Sequence, residues 1–316
     1  PGKFFLYLHY FGVHYPYAPS EPYFSDFIKD DLNETDKTIR IAEDKNAIFD
    51  RIFKEVSDNG ITSFNHYACS YDGKLRIVDG QIGRLLEGIK AEGLDKNTII
   101  IFTSDHGEGF GEHHLYFQHS YTVFEELIRV PFIAKFPWMK PGIRREQVGL
   151  IDIGPSILDA LNISDKGLFQ GKNVIDLEGK DLHLSSRAIY GMSLSGIMHY
   201  ARMEGKKVIF FDFSKLDKQV PGFRWPDFMP DDVKSGLVTS LYLFYDLDKD
   251  VRESVSLSEG IDGFRTLRSK IGDFVSSSGP KMDKCFIDAQ NYLSLKPAKT
   301  QDEKIIKKLR SLGYVQ

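Results

Sequence analysis

The sequence predicts an α/β fold: a doubly wound, mostly parallel sheet followed by a small antiparallel α+β subdomain. Three observations carry this. Thr98-Ile99-Ile100-Ile101-Phe102 is a continuous apolar run, the pattern of a strand buried on both faces of a parallel sheet. Residues 67–92 before it bring Leu75, Val78, Ile82, Leu85 and Ile89 round at steps of three and four, which gives a helix one apolar face. Near residue 186 the long helical patterns give way to closely spaced short strands.

In chain order, residues 4–9 read as a short apolar strand. The loop His14-Tyr15-Pro16-Tyr17-Ala18-Pro19 follows, its prolines blocking regular structure. Residues 33–57 read as a mostly polar helix with apolar positions at Ile39, Ala42, Ile48, Ile52 and Val56. The 67–92 helix stops at Gly93. A second buried strand is expected at 130–136 and a helix at 155–161, completing the strand, long helix, strand, helix order of a doubly wound sheet. Strands then follow at 188–192, 197–203, 207–211 and 241–247, with an aromatic, Pro- and Asp-rich loop at 215–237. Residues 260–276 and 301–312 look helical. The domain division is therefore 1–185 for the α/β core and 186–316 for the antiparallel part with its terminal helices.

With 316 residues, 41% hydrophobic and 27% charged, the chain has the material for a large core and the balance of an ordinary globular protein. A net charge of -4 with no basic stripe excludes an electrostatic case for nucleic acid. Lys304, Lys307, Lys308 and Arg310 cluster at helical spacing, as a solvated helix face does. No apolar run is long enough to span a bilayer. Cys69 and Cys285 cannot make a disulfide framework, and packing is the expected role of Cys69 on its helix. Pro1-Gly2-Lys3 leads straight into an apolar run, so a cut start is expected, with any targeting signal upstream.

The stretch richest in chemistry is Thr103-Ser104-Asp105-His106-Gly107-Glu108-Gly109-Phe110-Gly111-Glu112-His113-His114, directly after the apolar strand. Ligand sites in α/β sheets gather at the carboxyl ends of strands. Asp105 and His106 offer one oxygen and one nitrogen ligand, and Gly107, Gly109 and Gly111 would let the backbone turn sharply beside a ligand. Glu112 stands where a dinucleotide fingerprint needs its third glycine. On pattern alone, a polar Gly-rich turn with Asp105 as a helix cap accounts for the dipeptide equally well.

"FTSDHGEGFGEH" resembles the sulfatase signature of the alkaline phosphatase superfamily. In the same order as in that family come "FFLYLHYFGVHYPYAP", "YDGKLRIVDGQIGRLLEGIKAEGLDKNTIIIFTSDHGE", "HSYTVFEELIRVPFIAKFP", "LIDIGPSILDALNI" and "FYDLDKDVRESVSL". In the last, Val251 stands for the usual proline and Ser256 for the usual asparagine. The ending "LRSLGYV" also recurs in bacterial members. The resemblance implies that Asp105 and His106 are metal ligands. His14 is implied to contact the sulfate and the leaving oxygen, and His119 also to touch the sulfate. His113 and His114 become supporting or loop residues, and Arg129 a member of a structural ion pair. The implied cofactor is one divalent ion, calcium for its hard oxygen ligands, with manganese left open by the imidazole. The implied substrate is a sulfated small molecule or carbohydrate, and the implied location periplasmic or extracellular.

Sulfatases attack with a formylglycine made from Cys or Ser in Cys/Ser-x-Pro-x-Arg. Cys69 is followed by Ser70-Tyr71-Asp72-Gly73 and Cys285 by Phe286-Ile287-Asp288-Ala289, and no serine meets the pattern. The nucleophile and the family's first strand, with its pair of Asp ligands, are therefore expected upstream of a truncated sequence, and this chain alone is expected to be inactive. Two other functions compete. One is a phosphoryl-transfer member of the superfamily: a phosphodiesterase, phosphonate hydrolase or phosphoethanolamine transferase. Tyr10, four residues before His14, stands where two-metal members carry an Asp ligand, which favours one metal. The other is a non-catalytic binding protein that keeps the fold. Phe223, Trp225, Phe228 and Met229 would line a sugar site only if their loop were not simply packed.

Overall fold

The computed structural model describes residues 3–31, 37–42, 49, 51–53, 60–164, 167, 169–175, 187–216, 231–258, 260–261 and 263–277. Pro1–Ile271 form one compact unit and Gly272–Gln316 a second. The expected 301–312 helix, Cys285 and the four aromatic-loop residues lie outside the described residues.

Helix α1 (Tyr23–Asp31) precedes two short strands, β1 (Arg40–Ala42) and β2 (Arg51–Phe53), which pair in parallel with Ile41 opposite Ile52. The helix expected over 33–57 is thus replaced, where described, by strands. Ile39 and Ile52 are buried as their apolar character demands, Ile52 on β2 and Ile39 just before β1. Ile39 and Ile41 also alternate, and β-branched residues fit a pleated surface at least as well as a helix.

Helix α2 (Phe64–Ala91) starts at Ser63, whose Oγ accepts the His66 N–H at 3.0 Å, and stops where Gly93 turns left-handed with φ 69°. Tyr67, Cys69, Ser70, Gly73 and Val78 are buried, whereas Leu75 is exposed, so the buried face is set by the first half of the helix. Gly73 is required there: a Cβ would lie 2.9 Å from Pro19 and 3.1 Å from the Tyr23 carbonyl. That contact seats the 14–19 loop on α2.

Strand β3 (Ile100–Thr103) follows, then helix α3 (Glu125–Ile128), strand β4 (Phe132–Lys135) and helix α4 (Ile153–Ala160). β3 and β4 pair antiparallel, Ile100 opposite Lys135 and Thr103 opposite Phe132. This pair is therefore not parallel, and the expected doubly wound parallel sheet is not seen among the described pairings. Among the described residues the one parallel pairing is β1 with β2. β3 is not buried on both faces either; Phe102 is exposed, and on β4 Ile133 is 65% exposed. An apolar run fixes neither the direction of the partner strand nor what covers it. Residues 4–9, expected as a strand, carry no strand pairing, and Phe5 is 81% exposed.

The antiparallel part matches its expectation. β5 (Ile189–Met192), β6 (Met198–Met203), β7 (Lys206–Asp212) and β8 (Ser240–Asp246) form a four-stranded antiparallel sheet in sequence order. Met203 pairs with Lys206 across Glu204-Gly205, both at positive φ, the two-residue turn that suits strand twist. Helix α5 (Asp231–Lys234) precedes β8, and helix α6 spans 264–277.

Two apolar clusters frame the loop after β3. One gathers Tyr17, Ile39, Ile52, Tyr67, Tyr116 and Phe117. The other joins Val123 and Phe124 to Met198, Ile209 and Tyr245 of the antiparallel sheet and to Leu247 just after β8. Among the described residues no helix is long and apolar enough to cross a membrane.

Candidate active site

Beyond β3 the backbone makes a tight hairpin. Phe117 N–H donates to Gly109 O at 2.6 Å, Gly109 N–H to Gln118 O at 3.1 Å and Gly111 N–H to Leu115 O at 2.9 Å. At its tip His113 and His114 adopt positive φ, as does Phe117 further along. The glycines have a different use from the one expected. Only Gly111 needs its left-handed φ of 96°. Gly107 and Gly109 leave room for protein backbone, since added Cβ atoms would lie 1.9 Å from Glu126 O and 2.7 Å from Leu115 O. This close packing returns the chain so that His119 ends beside His106.

The four residues expected to carry chemistry come together. Asp105 is 60% exposed just past the end of β3, with its Oδ2 3.7 Å from His106 Nε2. The His106 and His119 rings stack, centroids 3.9 Å apart and 15° from parallel. His14 meets His119 edge-on at 5.3 Å. The loop 14–19 therefore reaches the carboxyl end of β3 although it lies far away in sequence.

Three residues that the sequence reading did not single out complete the cluster. His9 Nε2 lies 3.8 Å from Asp105 Oδ2. Glu108, its side chain 6% exposed, faces His119 Nδ1 with Oε1 at 3.2 Å and accepts the Tyr17 hydroxyl on Oε2 at 2.6 Å. Burial, then the Glu108 charge and hydrogen bond, push the Tyr17 hydroxyl far above the ordinary tyrosine range, so it stays a donor. A Glu in a glycine-rich turn reads as a solvated charge. The available signal was its place two residues past the Asp-His pair.

His106 Nδ1 lies 2.7 Å from Gly107 O and His14 Nδ1 lies 2.9 Å from Tyr15 O. A carbonyl only accepts, so both Nδ1 atoms are donors and both Nε2 atoms are left for the cleft. For His106 this is the arrangement a metal-ligating imidazole needs, with the second nitrogen anchored on a carbonyl. The donor set fits part of a cation site. Asp105 Oδ2 with His106 Nε2 offers two ligands, and His9 Nε2 lies 3.8 Å from the same oxygen. Among the described residues no group of three or more His, Cys, Asp or Glu is arranged to hold an ion by itself.

Other expected residues have structural surroundings. His113 Nδ1 meets Glu126 Oε1 at 2.9 Å and its Nε2 meets Glu253 O at 3.2 Å. Arg129, expected in an ion pair, is exposed at the end of α3. Cys69 is buried on α2, as its packing role requires.

Comparison with known proteins agrees with the motif. The Sulfatase family model matches residues 1–163. An arylsulfatase of Clostridium perfringens is 30% identical over 192 residues, covering 56% of this chain and 38% of that protein. An N-acetylglucosamine-6-O-sulfatase of Bacteroides thetaiotaomicron is 34% identical over 122 residues, covering 37% of this chain and 22% of its own length. The chain thus spans well under half of these curated relatives. Among solved structures, a phosphonate monoester hydrolase of Agrobacterium radiobacter superposes with a TM-score of 0.52 at 19% identity, covering 85% of this chain and 55% of that one. That likeness is one of fold. With the family model matching more than half of its residues, from the His14 loop to the helix after β4, this chain belongs to the sulfatase family.

Proposed function

We propose that this chain carries one side of a sulfatase cleft and acts on sulfuric esters of a carbohydrate or other small molecule. The observation that carries the reading is the gathering of His14, His106 and His119 at the end of β3, within the residues that match the sulfatase model. Asp105 Oδ2 and His106 Nε2 are two ligands of a single divalent cation, calcium first and manganese as the alternative. When bound, such a cation draws charge off the ester oxygens. His14 and His119 turn Nε2 toward the sulfate; with a second proton on that nitrogen each donates a hydrogen bond as negative charge builds, and one of them hands that proton to the leaving oxygen. A sulfated sugar is the favoured substrate class, by analogy with the N-acetylglucosamine-6-O-sulfatase relative.

No Cys or Ser among the 316 residues stands in Cys/Ser-x-Pro-x-Arg, so the nucleophile comes from outside them. The purified chain should therefore turn over neither aryl sulfate nor aryl phosphate with calcium or manganese added. Expressed in its full open reading frame, it should hydrolyse aryl sulfate, and Asp105→Ala should abolish that. Turnover by the 316-residue chain that vanishes in Asp105→Ala would place the nucleophile among the residues dismissed above. Faster turnover of aryl phosphate by the full product would favour the phosphoryl-transfer reading. Inactivity of the full product on both esters would favour a non-catalytic binding protein.

A further inference from the structure

We propose that Glu108 is the positioning residue of this cleft, a single carboxylate that ties the His14 loop to the end of the hairpin and fixes which nitrogen His119 presents. The inference rests on the sulfatase reading only for what His119 does. The geometry of Glu108 stands by itself.

An ionised carboxylate is an acceptor only. Both partners of Glu108 are therefore donors: Tyr17 through its hydroxyl at 2.6 Å, and His119 through Nδ1–H at 3.2 Å. The two come from different segments, Tyr17 from the loop after His14 and His119 from the far end of the hairpin. Tyr17 is itself wedged edge-on between Tyr71 and Phe117, at 5.5 and 5.8 Å. The carboxylate thus rests on a rigid aromatic wall and passes that rigidity to an imidazole.

The three cleft histidines share one pattern. His14 and His106 each engage Nδ1 on a neighbouring backbone carbonyl. His119 engages Nδ1 on Glu108 instead. In each ring Nε2 remains for the cleft. Two of these anchors are backbone and survive any substitution, whereas the third is a side chain and can be removed. Glu108 is too buried to be a solvated surface charge, and its oxygens point at two groups whose positions define the cleft. Losing it frees His119 to rotate about its own axis and to exchange tautomers.

The test is long-range proton–nitrogen NMR on the 316-residue chain labelled with ¹⁵N-histidine, with the His119 signals assigned by their loss in His119→Asn. Wild type should show the proton on Nδ1 of His119. A His119 with bare Nδ1 and protonated Nε2 overturns the proposal, and this reading needs no variant. Glu108→Ala should move His119 to the Nε2–H tautomer. Glu108→Gln, whose amide oxygen still accepts, should restore Nδ1–H. An unchanged His119 in folded Glu108→Ala also overturns the proposal. Inorganic sulfate titrated into the same samples is bound by Nε2–H of the doubly protonated ring. It should bind about tenfold more weakly to Glu108→Ala, because Nδ1–H is no longer held and Nε2 is no longer fixed toward the anion, and closer to wild type to Glu108→Gln. If wild type binds no sulfate, the sulfatase reading of His119 is what fails, and the tautomer spectra still decide the role of Glu108.

Discussion

His113 lies flat on Phe124, ring centroids 3.6 Å apart and 3° from parallel, with each ring nitrogen on an acceptor: a Glu126 carboxylate oxygen and the Glu253 carbonyl. Two acceptors demand two N–H donors, so the bound ring is an imidazolium, stacked on an aromatic face that favours a cation. The contact ties the hairpin tip to α3 and to the turn after β8.

This arrangement predicts a pH dependence. Burial alone would lower the pKa of His113. The Glu126 hydrogen bond and charge, with the Glu253 carbonyl, outweigh it and raise the value above the ordinary 6.5. A raised histidine contributes its stability fully below the unfolded value and loses it as pH rises through the folded one. Urea unfolding should therefore show stability falling as pH climbs from 6.5. His113→Gln should cost about 1.5–3 kcal/mol at pH 6, the worth of hydrogen bonds to a charged group, and should flatten that slope. A wild-type midpoint that stays level, or rises, across this window would rule out the charged latch.

Asp152 predicts the opposite limb. It is fully buried, pairs with Arg187 through both oxygens and accepts the N–H groups of Gly149 and Lys172. Burial opposes its charge, but Arg187 and the backbone donors prevail and hold it below the ordinary 3.8. Its contribution is present above that value and is lost as pH falls through the lowered one. Asp152→Asn should cost about 3–5 kcal/mol at pH 7, because Arg187 is left unpaired in a largely buried place. The variant's acid unfolding should also lose the steep part below pH 3.8.

How much of this was legible in the sequence depends on the range of the signal. Helix α2 was readable because its spacing repeats over many turns, and the β5–β8 sheet because its strands pair with their sequence neighbours across short turns. β1 and β2 were not, since strands of three residues take their identity from a distant partner. The direction of β3 against β4 was not either, because an apolar run is the same run in both directions. In the cleft, the Asp105-His106 pair announces itself locally. The return of His119 to His106 depends on Gly109 fitting against Leu115 O, a contact visible only once the hairpin is folded. Glu108 was hidden by its type, as a carboxylate is expected in water unless its partners are known.

Two glycine substitutions separate close packing from conformational freedom. A Cβ on Gly107 would lie 1.9 Å from Glu126 O, backbone that also neighbours the acceptor of the Gly107 N–H, Leu127 O at 2.8 Å. Gly107→Ala should cost about 3 kcal/mol or more and disturb the cleft histidines. Gly80, inside α2, has nothing within 4 Å of its would-be Cβ. Gly80→Ala should stabilise by about 0.5–1 kcal/mol through helix propensity. Thermal unfolding reads both, and equal effects in the two variants would refute the distinction.

The last prediction concerns Lys207, which is fully buried on β7. Its Nζ lies 2.8 Å from Glu253 Oε1 and 3.2 Å from Glu125 Oε1, while Arg202 reaches Glu125 at 3.5 Å. Glu253 Oε2 also accepts the Glu125 N–H at 2.6 Å. The group joins the antiparallel sheet to the start of α3, directly after the segment that ends the cleft. Its charges balance, but burial still dominates: the Glu253 carboxyl is pushed up by burial, and Lys207 only partly offsets this. Such a cluster adds little over an apolar core of the same shape, yet removing one member strands the others. Lys207→Met should therefore cost about 3–5 kcal/mol, because two carboxylates lose their shared cation. Adding Glu253→Gln should return part of that loss, since one stranded charge disappears. The pair should show a coupling of about 1–3 kcal/mol in a double-mutant cycle. Because α3 carries Glu126, the partner of His113, Lys207→Met should also shallow the pH slope assigned to His113. Additive single effects, or a His113 slope untouched by Lys207→Met, would mean that the cluster and the hairpin latch are independent.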